Sequence, residues 1–132
     1  MGGGRLPTEA EWEHSARVGS TDPHYGDLDA IAWHAGNSGR GTKPVRTKQP
    51  NAWGLFDMLG NVWEWCYDWY GPYPNGSVTD PAGPQSADSF RVVRGGSWGN
   101  NPWDVRVSVR YGYRPEGRSG NIGFRCVREV IP

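Results

Sequence analysis

The chain has 132 residues, with 14 basic and 14 acidic side chains and no formal net charge. That is one domain's worth of sequence, and its charge balance argues against a partner held mainly by phosphate neutralisation, nucleic acid included. No apolar run approaches the ~20 residues that span a bilayer. Eight Trp stand beside 20 Gly and 11 Pro, which describes an ordered, loop-rich domain rather than a disordered chain, because disordered chains are poor in aromatics.

Met1–Gly4 carries no apolar stretch or cleavage pattern of a secretion signal and reads as a loop start. "PTEAEWEHSARVG" predicts one main helix, Thr8 to Arg17. Thr8 is the N-cap and Glu11 stands three residues on, the spacing of a capping box. Glu9 and Glu11 suit the positive end of the helix dipole, Arg17 suits the other end, and Gly19 is the stop. Trp12 and Ala16, four apart, face the core. From Ser20 to Gln49 there is little periodicity, and "GNSGRGTKP" is turn chemistry. It is no phosphate loop, because no Gly-Lys-Ser/Thr order or strand–helix frame surrounds it. His14, His24 and His34 read as separately hydrogen-bonded or exposed rather than as a metal trio.

From Val62 onward a period of two appears. Val62, Glu64, Cys66 and Asp68 share one side, and Trp63, Trp65, Tyr67 and Trp69 share the other. This predicts a strand whose aromatic side is the core face. "GPYPNGSVTDPAGPQSADS" predicts a long surface loop. "FRVVRGGSW" is a strand followed by a break. Val105, Val107 and Val109 alternate with polar residues as in a half-buried strand, "YGYRPEGRSGN" is loop-like, and "IGFRCVREV" closes the chain as a strand with Ile122, Phe124 and Cys126 on one side. One helix and short strands with long loops make this α+β, with a small twisted antiparallel sheet. The absence of βαβ alternation excludes a parallel nucleotide-binding sheet. Cys66 and Cys126 lie in no CxxC motif. They pair as a disulfide or stand as two small buried thiols, and spacing leaves both readings open.

Four stretches, "RLPTEAEWEHSAR", "NAWGLFDMLGNVWEW", "RVVRGGSW" and "NIGFRC", together resemble the sulfatase-modifying domain typified by formylglycine-generating enzyme. The resemblance runs from Arg5 to Arg128 and implies a single domain, 1–132, with a C-type-lectin-like α+β fold. Two departures matter. Family members carry a substantial segment before "RLPTEAEWE", which makes this a minimal member or a fragment recruiting help from a partner, with self-association as one outcome. The enzymes also place two cysteines after the "RGGS" motif, as nucleophile and soft copper ligands. Here "GGSWGNNPWD" supplies oxygen and amide groups and no sulfur, so no catalytic residue and no copper are expected.

The stretch Gly99–Asn121 is in turn similar to the variable segments of diversity-generating retroelement proteins, which use the same lectin-like scaffold. Framework residues Arg106, Arg110, Pro115, Arg118 and "NIGFRC" are in place. Between them stand Tyr, Ser and Gly, residues that binding surfaces favour. The resemblance implies a noncatalytic display domain for a protein or other surface ligand. Its contact residues would be Trp98, Asn100, Asn101, Trp103, Asp104, Tyr111, Tyr113, Glu116, Ser119 and Asn121. The competing readings are a formylglycine-generating or other oxidoreductase activity, and a purely structural piece. Finally, "DMLGNVWE" resembles a structural calcium site. Carried over, Asp57 and Glu64 give carboxylate oxygens, and Gly60 and Val62 backbone carbonyls. The alternative for Glu64 is an ion pair with a framework arginine, since a buried carboxylate needs one or the other.

Overall fold

Thr8 caps helix α1 (Glu9–Arg17) as the local sequence dictates. Its hydroxyl accepts from the Glu11 amide at 3.1 Å, and the Glu11 carboxylate accepts from the Thr8 amide at 2.8 Å. This is seen in a computed structural model that describes residues 3–84 and 90–130. Arg5 pairs with Glu11 at 2.7 Å and, by that hydrogen bond, holds its carboxyl at about 2. The helix stops one residue before the expected glycine, because Val18 itself takes the left-handed conformation and Gly19 follows it. Within the aperiodic stretch lies a second helix, α2 (Leu28–Ile31), a single turn too short to show a period. No helix of the described residues is long and apolar enough to cross a membrane.

Four strands follow: β1 (Trp63–Trp69), β2 (Arg91–Arg94), β3 (Arg110–Tyr113) and β4 (Ile122–Gly123), in the order β3-β2-β1-β4. The pairs β1/β2 and β2/β3 are antiparallel, as expected, but β4 runs parallel to β1. The sheet is therefore mixed. The chain leaving β3 passes to the far side of β1 and arrives there running in the same direction.

Three strand assignments need correction. Val105, Val107 and Val109 do not form a strand: Val105 and Val107 are fully buried, but in a turn between a short 3-10 helix (Pro102–Asp104) and β3. Alternating burial here comes from a coiled segment dipping twice into the core. The strand lies instead at Arg110–Tyr113, inside the stretch that reads as a loop. The last strand shrinks to two residues, with Phe124 67% exposed and Cys126 exposed. An isolated bridge between Arg5 and Val127 ties that end of the chain to the beginning. The 71–84 part of the expected surface loop is exposed almost throughout, and its 85–89 part lies outside the described residues.

The most consequential correction concerns the two faces of β1. Residues paired across neighbouring strands share a face. The register therefore gives one row of Glu64, Arg94 and Arg110, and another of Trp65, Val93 and Tyr111. It is the Glu64–Cys66–Asp68 side that is buried against α1, while Trp65, Tyr67 and Trp69 are half-buried or exposed. The inner core is Trp12, Ala16, Ile31, Met58, Leu59, Cys66, Val92, Val105 and Val107. Among the described residues of the outer side, Trp63 and Val93 are buried. The two cysteines are both free, one buried and one exposed. Burial pushes the Cys66 thiol far up. A thiol reagent should accordingly label Cys126 at once and Cys66 only after denaturation. Rapid labelling of two thiols in the native protein would contradict this packing.

Candidate functional site

An arginine frame locks the inner side of the sheet to α1. Glu9 accepts from Arg94 Nη1 at 2.6 Å and from Arg110 at 2.6 and 2.8 Å. Arg94, with no exposed surface, also reaches Glu13 and the Val107 carbonyl. Burial works to lower the Arg94 pKa, but its bonds to Glu13 and the charge of Glu9 outweigh it and raise it. On the other side of Trp12, Arg125 holds Glu64 through Nε at 2.7 Å and Nη2 at 2.8 Å. The Trp12 indole donates to the same carboxylate at 3.1 Å. Burial raises the Glu64 pKa despite these partners. All three arginines bond to partners on the sheet's inner side, so the segments carrying them are pinned from behind.

The outer side carries Tyr111 and Tyr113, two of the residues the sequence proposes as ligand contacts. Tyr111, 59% exposed, stands over Trp63 with ring centroids 5.9 Å apart, and Tyr113 meets Trp65 at 6.0 Å. The Trp98 indole donates to the Gly120 carbonyl at 3.1 Å, next to Ser119 and Asn121, whose side chains bond each other at 2.6 Å. The Asn121 carbonyl in turn accepts from the Trp63 amide at 2.8 Å. A chain of contacts thus joins Trp98, Ser119, Asn121, Trp63 and Tyr111. Trp103, 71% exposed, projects from the 3-10 turn with Arg106 stacked on it at 4.0 Å. Asn101 caps that turn by accepting from the Asp104 amide. Glu116 is exposed in the turn after β3.

Asn100, half-buried, also has a role inside its own loop. Its side chain accepts from the Ser97 amide and hydroxyl at 3.0 and 2.7 Å, and its carbonyl accepts from Ala35 at 2.8 Å. Its side-chain oxygen and carbonyl shape the loop, while its Nδ2 donors have no partner among the described residues. Sequence reasoning misses Trp63, Trp65, Trp69 and Arg91, which complete the outer surface; Arg91 stacks 3.7 Å over Trp69. The signal that finds them is the strand register, not the hydrophobicity of one strand.

Asp57, Gly60, Val62 and Glu64 line a single cavity of about 320 Å³, together with Arg46 and Arg125. The Asp57 side chain accepts from the Arg46 amide through Oδ2 at 2.9 Å, while Oδ1 is buried with no partner among the described residues. Glu64 accepts three hydrogen bonds, two on Oε1 and one on Oε2. A carboxylate offers about four acceptor sites, so Oε2 retains one. An orphaned buried acceptor beside a partly committed carboxylate and backbone carbonyls is an all-oxygen donor set, and it fits a hard cation. The arginine partner foreseen for Glu64 is present, since Arg125 pairs with it at 2.7 Å. No three His, Cys, Asp or Glu side chains come together anywhere among the described residues, and this cavity holds two, Asp57 and Glu64. His34 binds Asp29 at 2.7 Å and His14 packs edge-on against Trp53. A larger hollow, about 850 Å³, lies between α1 and the 71–84 loop over the ion-pair frame, apart from the display residues.

The family model described as the sulfatase-modifying factor enzyme 1-like domain matches residues 1–130. The formylglycine-generating enzyme of Streptomyces coelicolor is 38% identical over 97% of this chain and 48% of its own length. Among solved structures, variable protein 1 of Treponema denticola superposes with a TM-score of 0.88 at 42% identity, over 93% of this chain and 46% of that one. PvdO from Pseudomonas aeruginosa superposes with a TM-score of 0.87 at 33% identity, over 96% and 53%. The chain spans about half the length of these relatives. On the match along nearly its whole length, the chain belongs to the sulfatase-modifying factor enzyme 1-like family, on the fold its formylglycine-generating and variable-protein relatives share.

Proposed function

We propose that this domain displays a ligand-binding surface and carries out no oxidation of its own. The observation that carries the reading is the division of labour along β3. Arg110 turns inward to Glu9, while its neighbours Tyr111 and Tyr113 turn outward onto Trp63 and Trp65. A frame pinned from behind allows the front residues to change without unfolding the domain. Tyr and Trp give rigid contact area at small entropic expense. The likeness to the Treponema variable protein supports the same reading, and a diversity-generating retroelement is its natural source. DNA beside the gene should then carry a reverse transcriptase and a near-repeat of the Gly95–Cys126 coding segment differing at adenines. A cysteine-containing sulfatase peptide incubated with the protein, with or without copper, should keep its thiol by mass spectrometry. A formylglycine product would overturn the noncatalytic reading. Replacing Tyr111, Glu116 or Ser119 by Asn or Asp should change stability by less than about 1 kcal/mol, as exposed positions do; a collapse of the fold at any of them would count against display.

We further propose that calcium occupies the Asp57 cavity, with Glu64 as second carboxylate and the Gly60 and Val62 carbonyls completing the protein's share. A ligand bound only by the native state adds RT ln(1 + [L]/Kd), about 2.7 kcal/mol at a hundredfold excess over Kd. Chelation should lower the melting temperature by several degrees, and Asp57→Asn should abolish that sensitivity. Asp57 is the cleaner probe, since Glu64→Gln also breaks the Arg125 pair. A melting curve indifferent to chelator would remove the metal from this account.

A further inference from the structure

β3 is the edge of the sheet, and only its β2 side is paired. Among the described residues, no backbone amide or carbonyl of Arg110–Tyr113 has a hydrogen-bonding partner outside that ladder. Edge strands are usually protected by Lys, Pro, a bulge or a covering segment. Within this strand there is no Lys, Pro or bulge, and its one charged residue, Arg110, is tied inward to Glu9: the sequence is Arg-Tyr-Gly-Tyr in unbroken register with Val93 and its neighbours. The display residues Tyr111 and Tyr113 flank the open edge on its outer side, and Arg114 and Arg118 are exposed just beyond it. Arg106 stands before it, stacked on Trp103. From Gly99 to Asn121 the charged residues are Asp104 and Glu116 against Arg106, Arg110, Arg114 and Arg118, and of these arginines only Arg110 has an acidic partner among the described residues.

Resting on the display reading above, we propose that the ligand of this surface is an extended acidic peptide segment of a partner protein, which adds a fifth strand along β3. Its backbone would take up the outward amides and carbonyls of β3. Its alternate side chains would lie beside Tyr111 and Tyr113, and its carboxylates would meet the free guanidinium groups. Such strand addition draws affinity from the main chain and specificity from alternate side chains. A display surface built on it would therefore bind at a fixed register while its tyrosines change.

The test uses capped peptides of alternating Glu and Val, with alternating Lys and Val as the control. Amide hydrogen exchange of Arg110–Tyr113 is followed by NMR at millimolar peptide. The acidic peptide should slow exchange of the outward amides by at least about tenfold, and the Lys peptide should not. N-methylation of one alternate set of peptide amides should abolish the effect, while methylation of the other set should leave it intact. Unchanged exchange, or equal loss with both methylated sets, overturns strand addition. So does slowing that rises with protein concentration alone and accompanies a dimer in sedimentation, since the edge would then be paired with a second copy. Peptide-induced shifts at Trp98 and Trp103 without slowing at β3 would sink the strand and leave display standing. Display itself fails on the sulfatase-peptide assay, which does not involve the edge.

Discussion

Glu9→Gln should lower the melting temperature by more than about 10 °C. One carboxylate, 3% exposed as a residue, neutralises Arg94 and Arg110 together. The amide keeps the size and loses the charge, so Arg110 loses its acidic partner and Arg94 keeps Glu13 alone, while both face a neutral group that also carries donors. Breaking a buried pair in this one-sided way costs about 3–5 kcal/mol, because the partner's desolvation is no longer offset. For a domain of this length each kcal/mol moves the midpoint by roughly 3–5 °C. Glu11→Gln is the control. Its pair with Arg5 is close to half-exposed on both sides, and such pairs contribute at most about 1 kcal/mol. Melting curves of the two variants should be well separated. If they coincide, the inner frame does not bind α1 to the sheet, and the account of why outer positions tolerate change loses its basis.

What was legible in the sequence was what is encoded locally. The capping box needs residues three apart, and the structure forms it at Thr8 and Glu11. The family motifs, spread along the chain, were enough to place the fold. The phase of β1 was not legible. Its two alternating sets are one of aromatics and one containing Glu64, Cys66 and Asp68, and hydrophobicity alone puts the aromatics inside. The outcome is the reverse because partners far along the chain make the acidic side buriable: Arg94 and Arg110 reach Glu9 across 85 and 101 residues, and Arg125 reaches Glu64 across 61. No window of periodicity contains such pairs. Val105 and Val107 fail as strand markers for a related reason. Alternation reports burial at every second residue, and a turn that dips into the core produces the same pattern. Nor was the loop bond of Asn100 legible, whose side-chain oxygen accepts from Ser97 three residues away.

Gly60→Ala should be as damaging as the loss of Glu9, and for a reason independent of charge. Gly60 sits at φ 76°, a left-handed conformation that disfavours a Cβ. There a Cβ would stand 2.4 Å from the Trp33 carbonyl oxygen and 2.9 Å from the Trp33 nitrogen. Both obstacles are backbone, so no side chain can rotate away. The neighbouring strand of contacts is also fixed. Gly60 donates to the Gly95 carbonyl at 2.8 Å and Asn61 donates to the Trp33 carbonyl at 2.8 Å, which holds the Trp33 loop against the turn before β1. Relief requires parting those bonds, each contributing about 0.5–1.5 kcal/mol, on top of about 1–2 kcal/mol for the left-handed residue. A total loss on the order of 2–5 kcal/mol follows. Gly54 supplies the matched comparison: its φ is 77°, yet nothing lies within 4 Å of its Cβ position. Gly54→Ala should show the conformational term alone, about 1–2 kcal/mol. The difference between the two variants in denaturant unfolding isolates the backbone contact. Equal destabilisation would mean that Trp33 yields, and that the close approach shaping the Asp57 cavity is softer than its distances imply.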